Sequence, residues 1–261
     1  IYPAITQEQL QKILIPLPPK ETQMQIVTLM DYAYRFYKEK EAETKQLWKF
    51  INSYVLEQLN IQHLEVKQEK IFIVNIEDMK GKRYDAEYYQ LKVEFLSQLK
   101  NPIRIKEFIV DYQINISSNK YLSEALPFVR VSDINEANLK QTNKKISESL
   151  FEELKEKFSP KKGEGLYTKD GPIGLNYIVT KEENYIISGS ILRLICKNIE
   201  YAKFLKIILS LKLYKELVNK ESNGTVIKHL NLKKFLNILI PFPEKDKRDK
   251  IVNKIDKIDR K

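Results

Sequence analysis

Cysteine is all but missing from these 261 residues. Cys196 stands alone, so no internal disulfide is possible, and a reducing cytoplasm suits the chain. Histidine occurs only at His63 and His229, far apart in sequence, and with one cysteine they cannot furnish the ligands of a zinc site. Apolar runs are short: none approaches the roughly 20 residues that cross a bilayer. Residues 1–4 (Ile-Tyr-Pro-Ala) do not begin the basic-then-apolar pattern of a secretory signal.

Glycine is scarce too, with seven in all, most of them between residues 161 and 195. No glycine-rich cofactor loop follows a strand, and Gly163-x-Gly165 alone is too little to make one. Catalytic signatures are equally absent. Amino-methyltransferases carry an (Asp/Asn/Ser)-Pro-Pro-(Tyr/Phe) loop, whereas Asn101-Pro102 is followed by Ile103. There is no Walker lysine and no Pro-Asp…Glu-x-Lys nuclease cluster. Cys196 closes an apolar run and reads as a buried small hydrophobe rather than a nucleophile. The chain is therefore expected to do no chemistry and to bind no cofactor or metal of its own.

What the sequence does have is positive charge and a long internal repeat. Forty-five Lys and Arg against 35 Asp and Glu give a net charge of +10. That excess attracts polyanions, nucleic acid first, although basic bacterial proteins with other roles share it. Residues 10–31 (LQKILIPLPPKETQMQIVTLMD) return as residues 235–256 (FLNILIPFPEKDKRDKIVNKID) at an offset of 225. Ile13-Leu14-Ile15-Pro16 matches Ile238-Leu239-Ile240-Pro241, Pro18 matches Pro243, Ile26-Val27 matches Ile251-Val252, and Asp31 matches Asp256. The spacing far exceeds a solenoid repeat. In each copy the apolar triplet predicts a buried strand, Pro-x-Pro stops it because proline cannot donate to a ladder, and a polar first turn opens a helix.

Residues 21–59 contain neither glycine nor proline, and apolar side chains fall near helical spacing from Ile26 to Val55. A single helix of roughly 39 residues, about 58 Å long, is expected, and one so long requires a partner helix. Between the repeats, residues 71–76 predict a strand, and 83–100 a helix with Asp85 as N-cap. Strands are expected at 103–109 and 126–134, and a short helix at 151–158. Sheet-like alternation follows at 166–167, 175–179 and 185–195, then a strongly apolar helix at 201–218. Gly171 and Gly174 predict a tight turn presenting Tyr167, Thr168, Lys169 and Asp170 on one edge. The fold class is α/β: a sheet-centred domain bracketed by long, coiled-coil-forming helices.

These elements, in order, resemble the specificity subunits of type I restriction–modification systems. The residues that carry the resemblance are IPLPP…Q..IV, RYDAEYY (83–89), FVRVSDI (128–134), KxGExxxxxxGPxG (161–174) and SNGT…LNLKKFLNILIPFP (222–243). Together they span nearly the whole chain. The resemblance implies two target-recognition domains alternating with two spacer helices that pair as an antiparallel coiled coil. Each recognition domain reads half of a bipartite DNA site. On this scheme residues 1–19 are the tail of a preceding recognition domain, 20–62 the proximal spacer, 63–243 a recognition domain, and 244–261 the start of the distal spacer. The partners implied are double-stranded DNA, methyltransferase subunits, restriction subunits and a further copy of the spacer, with no membrane. S-adenosylmethionine, ATP and magnesium are used by the partner subunits. Most of a first recognition domain and of the distal spacer is missing, which leaves open a fragment, a dimerising half-subunit or a segment of a fused methyltransferase–endonuclease.

The candidate DNA-binding residues lie on loops beside strands. They are Lys120, Tyr121, Arg130 and Ser132; Tyr167, Thr168, Lys169 and Asp170; and Ser222, Asn223, Gly224, Thr225 and Lys228. Basic members suit phosphates and polar ones suit base edges. Each has a structural alternative: Lys120 and Lys169 as solvated charges, Arg130 paired with Asp133 or a glutamate, Tyr167 in the core, and Ser222-Asn223-Gly224 as a helix-end turn. Two other classes of function compete, a helical protein scaffold indifferent to DNA and an RNA-binding module. The second is disfavoured because no ribonucleoprotein aromatic motif is present.

Overall fold

The computed structural model describes residues 5–62, 73–74, 76, 89, 95–114, 126–134, 139, 142–222 and 228–258. The chain divides into two units, Ile1–Phe50 and Ile51–Lys261. In the first, a short helix α1 (Gln7–Gln11) is capped by Thr6, and an extended stretch leads through Pro16 and Pro18 into α2 (Lys20–Gln58). The 39 residues of α2 form one uninterrupted helix, as the absence of breakers predicts. Its charged middle carries exposed pairs, Lys40–Glu43 at 2.7 Å and Lys45–Glu41 at 2.9 Å, which contribute little to stability. Residues 13–15 were expected to form a strand; among the described residues they have no ladder partner, and Leu14 and Ile15 are exposed.

The second unit begins with the last turns of α2, whose Ile51, Val55 and Leu56 are buried. The helix ends on Asn60 in the left-handed region (φ 55°). Ile61 N–H then donates to Leu56 O at 2.9 Å and Asn60 N–H to Glu57 O at 3.0 Å, the two bonds of a Schellman motif. The strand expected at 71–76 does not appear at its described residues: 73 and 74 belong to no strand, 76 is helical, and Ile73 and Ile76 are exposed. Most of the helix expected at 83–100, Asp85 included, lies outside the described residues. Within that helix segment Tyr89 and Phe95 are buried.

The expected strand at 103–109 is instead β1 (Ile103–Arg104), a helical turn α3 (Ile105–Phe108) and β2 (Ile109–Ile114). Ile105 and Phe108 are both fully buried at i, i+3 spacing, which a helical turn satisfies and a strand does not. The Glu107 carboxylate closes the turn by accepting from Arg104 N–H at 3.1 Å. Similarly, β3 stops at Val129 (Leu126–Val129) because Asp133 caps a 3₁₀ turn, Val131–Asp133. β4 (Lys145–Ile146) precedes α4 (Glu148–Phe158), which starts three residues earlier than expected because Ser147 Oγ accepts from Leu150 N–H. Then come β5 (Gly165–Thr168), β6 (Asn176–Ile178), β7 (Ile186–Ile187) and β8 (Ile191–Cys196). The apolar helix expected at 201–218 is two helices, α5 (Ile199–Ser210) and α6 (Lys212–Lys220). They are separated by buried Leu211 in an extended conformation (ψ 138°), where Lys212 N–H is taken up by Asn52 Oδ1 at 2.8 Å. A short α7 (Leu232–Leu236), β9 (Leu239–Ile240) and α8 (Lys245–Ile258) finish the unit.

The main sheet runs β2-β8-β5-β6 and is antiparallel throughout. A second sheet, β4-β3-β7, joins β3 and β7 in parallel. β9 pairs with β1, so the sequence leaving the sheet region lies beside the sequence that enters it, with Ile240 opposite Ile103. An aromatic cluster fastens this corner: Phe108 meets Tyr201 at 4.6 Å and Phe242 at 5.7 Å, and the Arg248 guanidinium sits 4.3 Å from the Phe242 ring. Lys203 of α5 and Asp256 of α8 form an ion pair.

At the centre of the main sheet lies a buried charge. Arg193 of β8 donates to both Glu164 carboxylate oxygens, at 2.5 and 2.8 Å, to Gln113 Oε1 at 2.8 Å and to Lys157 O at 2.7 Å. Removing one member of such a pair strands the other without water. Glu164→Ala is therefore expected to lower the unfolding free energy by about 3–5 kcal/mol. Adding Arg193→Met should recover part of that loss, because the uncompensated charge then goes too. Urea denaturation of the single and double variants measures both; equal stability of Glu164→Ala and the parent chain would refute the role given to the pair.

Candidate nucleic-acid interface

The turn between β5 and β6 forms where the glycines predict it. Gly171 (φ 76°) and Gly174 (φ 100°) occupy conformations that other residues rarely adopt. What the turn displays differs from expectation. Tyr167 and Thr168 belong to β5 and are fully buried, not on an exposed edge. The Tyr167 ring packs 4.9 Å from Phe235. Thr168 is the internal brace of the turn: its hydroxyl donates to Pro172 O at 2.6 Å and accepts from Leu175 N–H at 3.0 Å. Nearness to the glycine turn made both look presentable, but the sheet is covered on both faces here.

Lys169 and Asp170 follow the strand and are partly open, with side-chain exposures of 19% and 22%. They pair with each other at 2.7 Å. The segment before α7 lies alongside: Gly171 N–H donates to Lys228 O at 3.1 Å, and Leu230 N–H to Lys169 O at 2.8 Å. The second and third candidate groups thus meet, although residues 171 and 228 are far apart in sequence. Lys228 is exposed and reaches Asn219 Oδ1 at 3.4 Å. Between Lys228 and Leu230 stands His229, which sequence reasoning considered only as a metal ligand. Its Nδ1 lies 2.9 Å from Asp170 Oδ1. The only sequence signal for it was a histidine beside a lysine in a polar loop.

Ser222 caps α6, its hydroxyl donating to Val218 O at 2.8 Å, as the helix-end alternative anticipated. Asn223, Gly224 and Thr225 lie outside the described residues, as do Lys120 and Tyr121. Arg130 takes its structural alternative: its guanidinium contacts Asp133 at 3.4 and 3.5 Å and donates to Asn143 Oδ1 at 3.2 Å. The neighbouring Ser132 is exposed, and its hydroxyl donates to Asp133 Oδ1 at 3.3 Å. Arg130 is tied to the β5 turn through residues 188–190, since Ser188 N–H donates to Val129 O and Lys169 N–H to Ser190 O.

Both aspartates at this edge stay ionised more firmly than usual. Burial acts to raise each carboxyl, and hydrogen bonds outweigh it. Asp133 is lowered by Arg130 N–H, the Thr142 hydroxyl and the Arg130 guanidinium. Asp170 is lowered by Lys169, His229 and Ser190. Cys196 behaves oppositely, its thiol pushed up to about 12 by burial alone, which agrees with a packing role.

The second unit is therefore a mixed helix–sheet domain whose loop edge is charged, hydrogen-bonded and built from two distant chain segments. Residues 111–261 match the type I restriction modification DNA specificity domain, and the chain belongs to that family. A Haemophilus influenzae protein named as a candidate type I restriction enzyme specificity subunit is 27% identical over 188 residues, covering 72% of this chain and 41% of its own length. Two solved structures are also similar. The HsdS subunit from Thermoanaerobacter tengcongensis has 18% identity and a TM-score of 0.46, covering 99% of this chain and 56% of that one. A type I restriction-modification S subunit from M. genitalium has 16% identity and a TM-score of 0.45, covering 62% and 40%. The chain thus spans about half the length or less of these relatives. Among the described residues no helix is long and apolar enough to cross a membrane.

A carboxyl held low in the folded state stabilises the fold above its unfolded value, about 3.9, and that contribution is lost as the pH falls through the folded value. Asp133→Asn should cost about 2 kcal/mol at neutral pH, the scale of hydrogen bonds to a charged group. The gap from the parent chain should then narrow as the pH drops below about 4. Chemical denaturation at pH 7 and pH 3 tests this; an undiminished gap at the lower pH would show that charge is irrelevant there.

Proposed function

We propose that this chain is a DNA-reading part of a type I restriction–modification specificity subunit. It binds double-stranded DNA sequence-specifically and leaves methyl transfer and cleavage to partner subunits that use S-adenosylmethionine, ATP and magnesium. The match of residues 111–261 to the DNA specificity domain carries this reading. The net charge of +10 supports it, since lysines and arginines that neutralise phosphates release counterions. So does the scarcity of catalytic motifs in the sequence.

The domain organisation follows from the repeat. Residues 63–243 are the recognition domain, 20–62 the proximal spacer, 244–261 the start of the distal spacer, and 1–19 the tail of a preceding recognition domain. In the second copy Phe235, Ile238, Ile240, Ile251, Val252 and Ile255 are at most 6% exposed. Their counterparts Leu10, Ile13, Ile15, Ile26, Val27 and Met30 are 46–80% exposed. The same motif that seals one globular domain is thus bare in the first copy, which suits docking against a second domain of the same kind. A rigid spacer between two such heads sets the separation of two half-sites, and methyltransferase subunits held by the spacers act on a flipped adenine.

Two measurements test the proposal. Fluorescence anisotropy with a random-sequence duplex at low salt should show binding that weakens steeply as salt rises, and Lys228→Ala should flatten the slope of log K against log salt by about 0.9. Methylome sequencing of cells carrying the chain with its methyltransferase should reveal a bipartite adenine motif that disappears on its deletion. Failure to bind any duplex at low salt would favour a protein scaffold and end the DNA reading.

A further inference from the structure

His229 and Asp170 sit opposite each other in a single antiparallel bridge that joins the β5 turn to the segment before α7. The backbone bonds on either side of that bridge, from Gly171 to Lys228 and from Leu230 to Lys169, hold the imidazole in place. Asp170 divides its two oxygens: Oδ2 takes the Lys169 ammonium at 2.7 Å and Oδ1 meets His229 Nδ1 at 2.9 Å. An ionised carboxylate only accepts, so the proton in the second contact belongs to Nδ1. That fixes the tautomer and leaves Nε2 as the nitrogen available to a ligand. The His229 side chain is 62% exposed, against 19% for Lys169 and 22% for Asp170. In this group the two acidic and basic neighbours cancel each other, and the histidine is what faces solvent.

Among the described residues, few groups surround the ring. Asp170 faces Nδ1, Lys169 and Ser190 engage the same carboxylate, and Lys228 turns to Asn219 Oδ1. A neutral ring offers an acceptor at Nε2; a protonated ring offers a charged donor. On an exposed ring, that second form is a charged donor of the kind a phosphate oxygen accepts from.

We propose that His229 is a pH-gated phosphate contact: with Asp170 orienting Nδ1–H, protonated Nε2–H donates to the DNA backbone, so that binding tightens as the ring gains its proton. This rests on the DNA reading given above. Phosphate favours the charged ring, so the gain in affinity is complete when the free protein is already protonated and fades as the pH rises through the value of the bound ring. Asp170 acts as the positioning residue. Its carboxyl is held low, so it remains an acceptor across the range in which imidazoles titrate.

The test is fluorescence anisotropy of the whole chain with a random-sequence duplex of about 30 base pairs, over a salt series, from about pH 8 to about pH 5.5, where imidazoles change charge. The parent chain should gain roughly tenfold in affinity over this interval, the worth of one charge-assisted hydrogen bond. Its salt slope should steepen by about 0.9, one further phosphate contact. H229Q should lose that gain and that steepening, whereas H63Q, which removes the other histidine, should keep both. D170N should lose part of the gain, because no carboxylate then fixes Nδ1–H and aims Nε2. Duplex binding with the same pH and salt profile in H229Q as in the parent overturns this inference alone. Absence of duplex binding at every pH overturns the DNA reading and this inference with it.

Discussion

A guanidinium in the middle of a sheet constrains everything around it. Arg193 lies opposite Leu166 on β5 and Gln113 on β2, the two strands that flank β8. Its bonds reach Glu164 in the turn before β5, Gln113 in β2 and the carbonyl of Lys157 near the end of α4. Glu164 Oε2 accepts in addition from Lys161 N–H at 2.8 Å. A buried charge tolerates no change of register, because a one-residue slip would aim Arg193 at the opposite face and leave Glu164 alone. The pair therefore acts as a register lock more than as a source of stability. With β5 fixed, its continuation through Lys169 and Asp170 is fixed as well, and the exit segment finds its bridge partner at His229.

The repeated exit sequence shows a second level of constraint, visible only when its two copies are laid side by side. In the first, Gln23 Nε2 donates to Pro18 O; in the second, Arg248 donates to Pro243 O, both at 2.6 Å. Gln23 and Arg248 are not the same residue, yet each stands five positions after its proline and closes the start of the helix in the same way. Thr6 and Asn231, likewise different, cap the short helices that come before. The geometry of the joint is thus stored in hydrogen bonds local to each copy and survives without burial. Burial is added where a sheet domain is present: Ile240 pairs across to Ile103, and Ile251 and Val252 of α8 are buried. Each such side chain gains about 1.5–3 kcal/mol on burial, which is what the first copy leaves unclaimed.

These two constraints explain which parts of the fold were legible in the sequence. The long helix was legible because nothing in residues 21–59 competes with it, and the repeat because it is a matter of letters alone. The β5–β6 turn was legible because Gly171 and Gly174 adopt backbone conformations that few other residues accept. The segment 103–109 was not, since a four-residue helical turn between two strands leaves no period to detect, and Glu107 announces it only by closing back on Arg104. Nor was the break at Leu211, where helical spacing runs straight through a residue whose extended backbone is set by tertiary contact with Asn52. At the candidate site, pattern reading placed the loop edge but could not tell which members face inward. Tyr167 and Thr168 sit on a strand buried on both faces, a property of the neighbouring helix and sheet rather than of the strand itself.

What remains at the proposed DNA-facing edge has a common electrostatic design. Arg130 is held by Asp133, and Lys169 and His229 by Asp170. A bare aspartate on such an edge would repel phosphates, whereas a bare arginine or lysine would sample many rotamers and lose entropy on meeting its target. Pairing removes both difficulties at once: the carboxylate is neutralised locally, and the cation is fixed in direction before a ligand arrives. It also reduces the net charge available for long-range attraction, which falls instead to lysines such as Lys228, whose ammonium meets the Asn219 amide and, among the described residues, no carboxylate. Long-range steering and directed short-range contact would then be carried by different side chains.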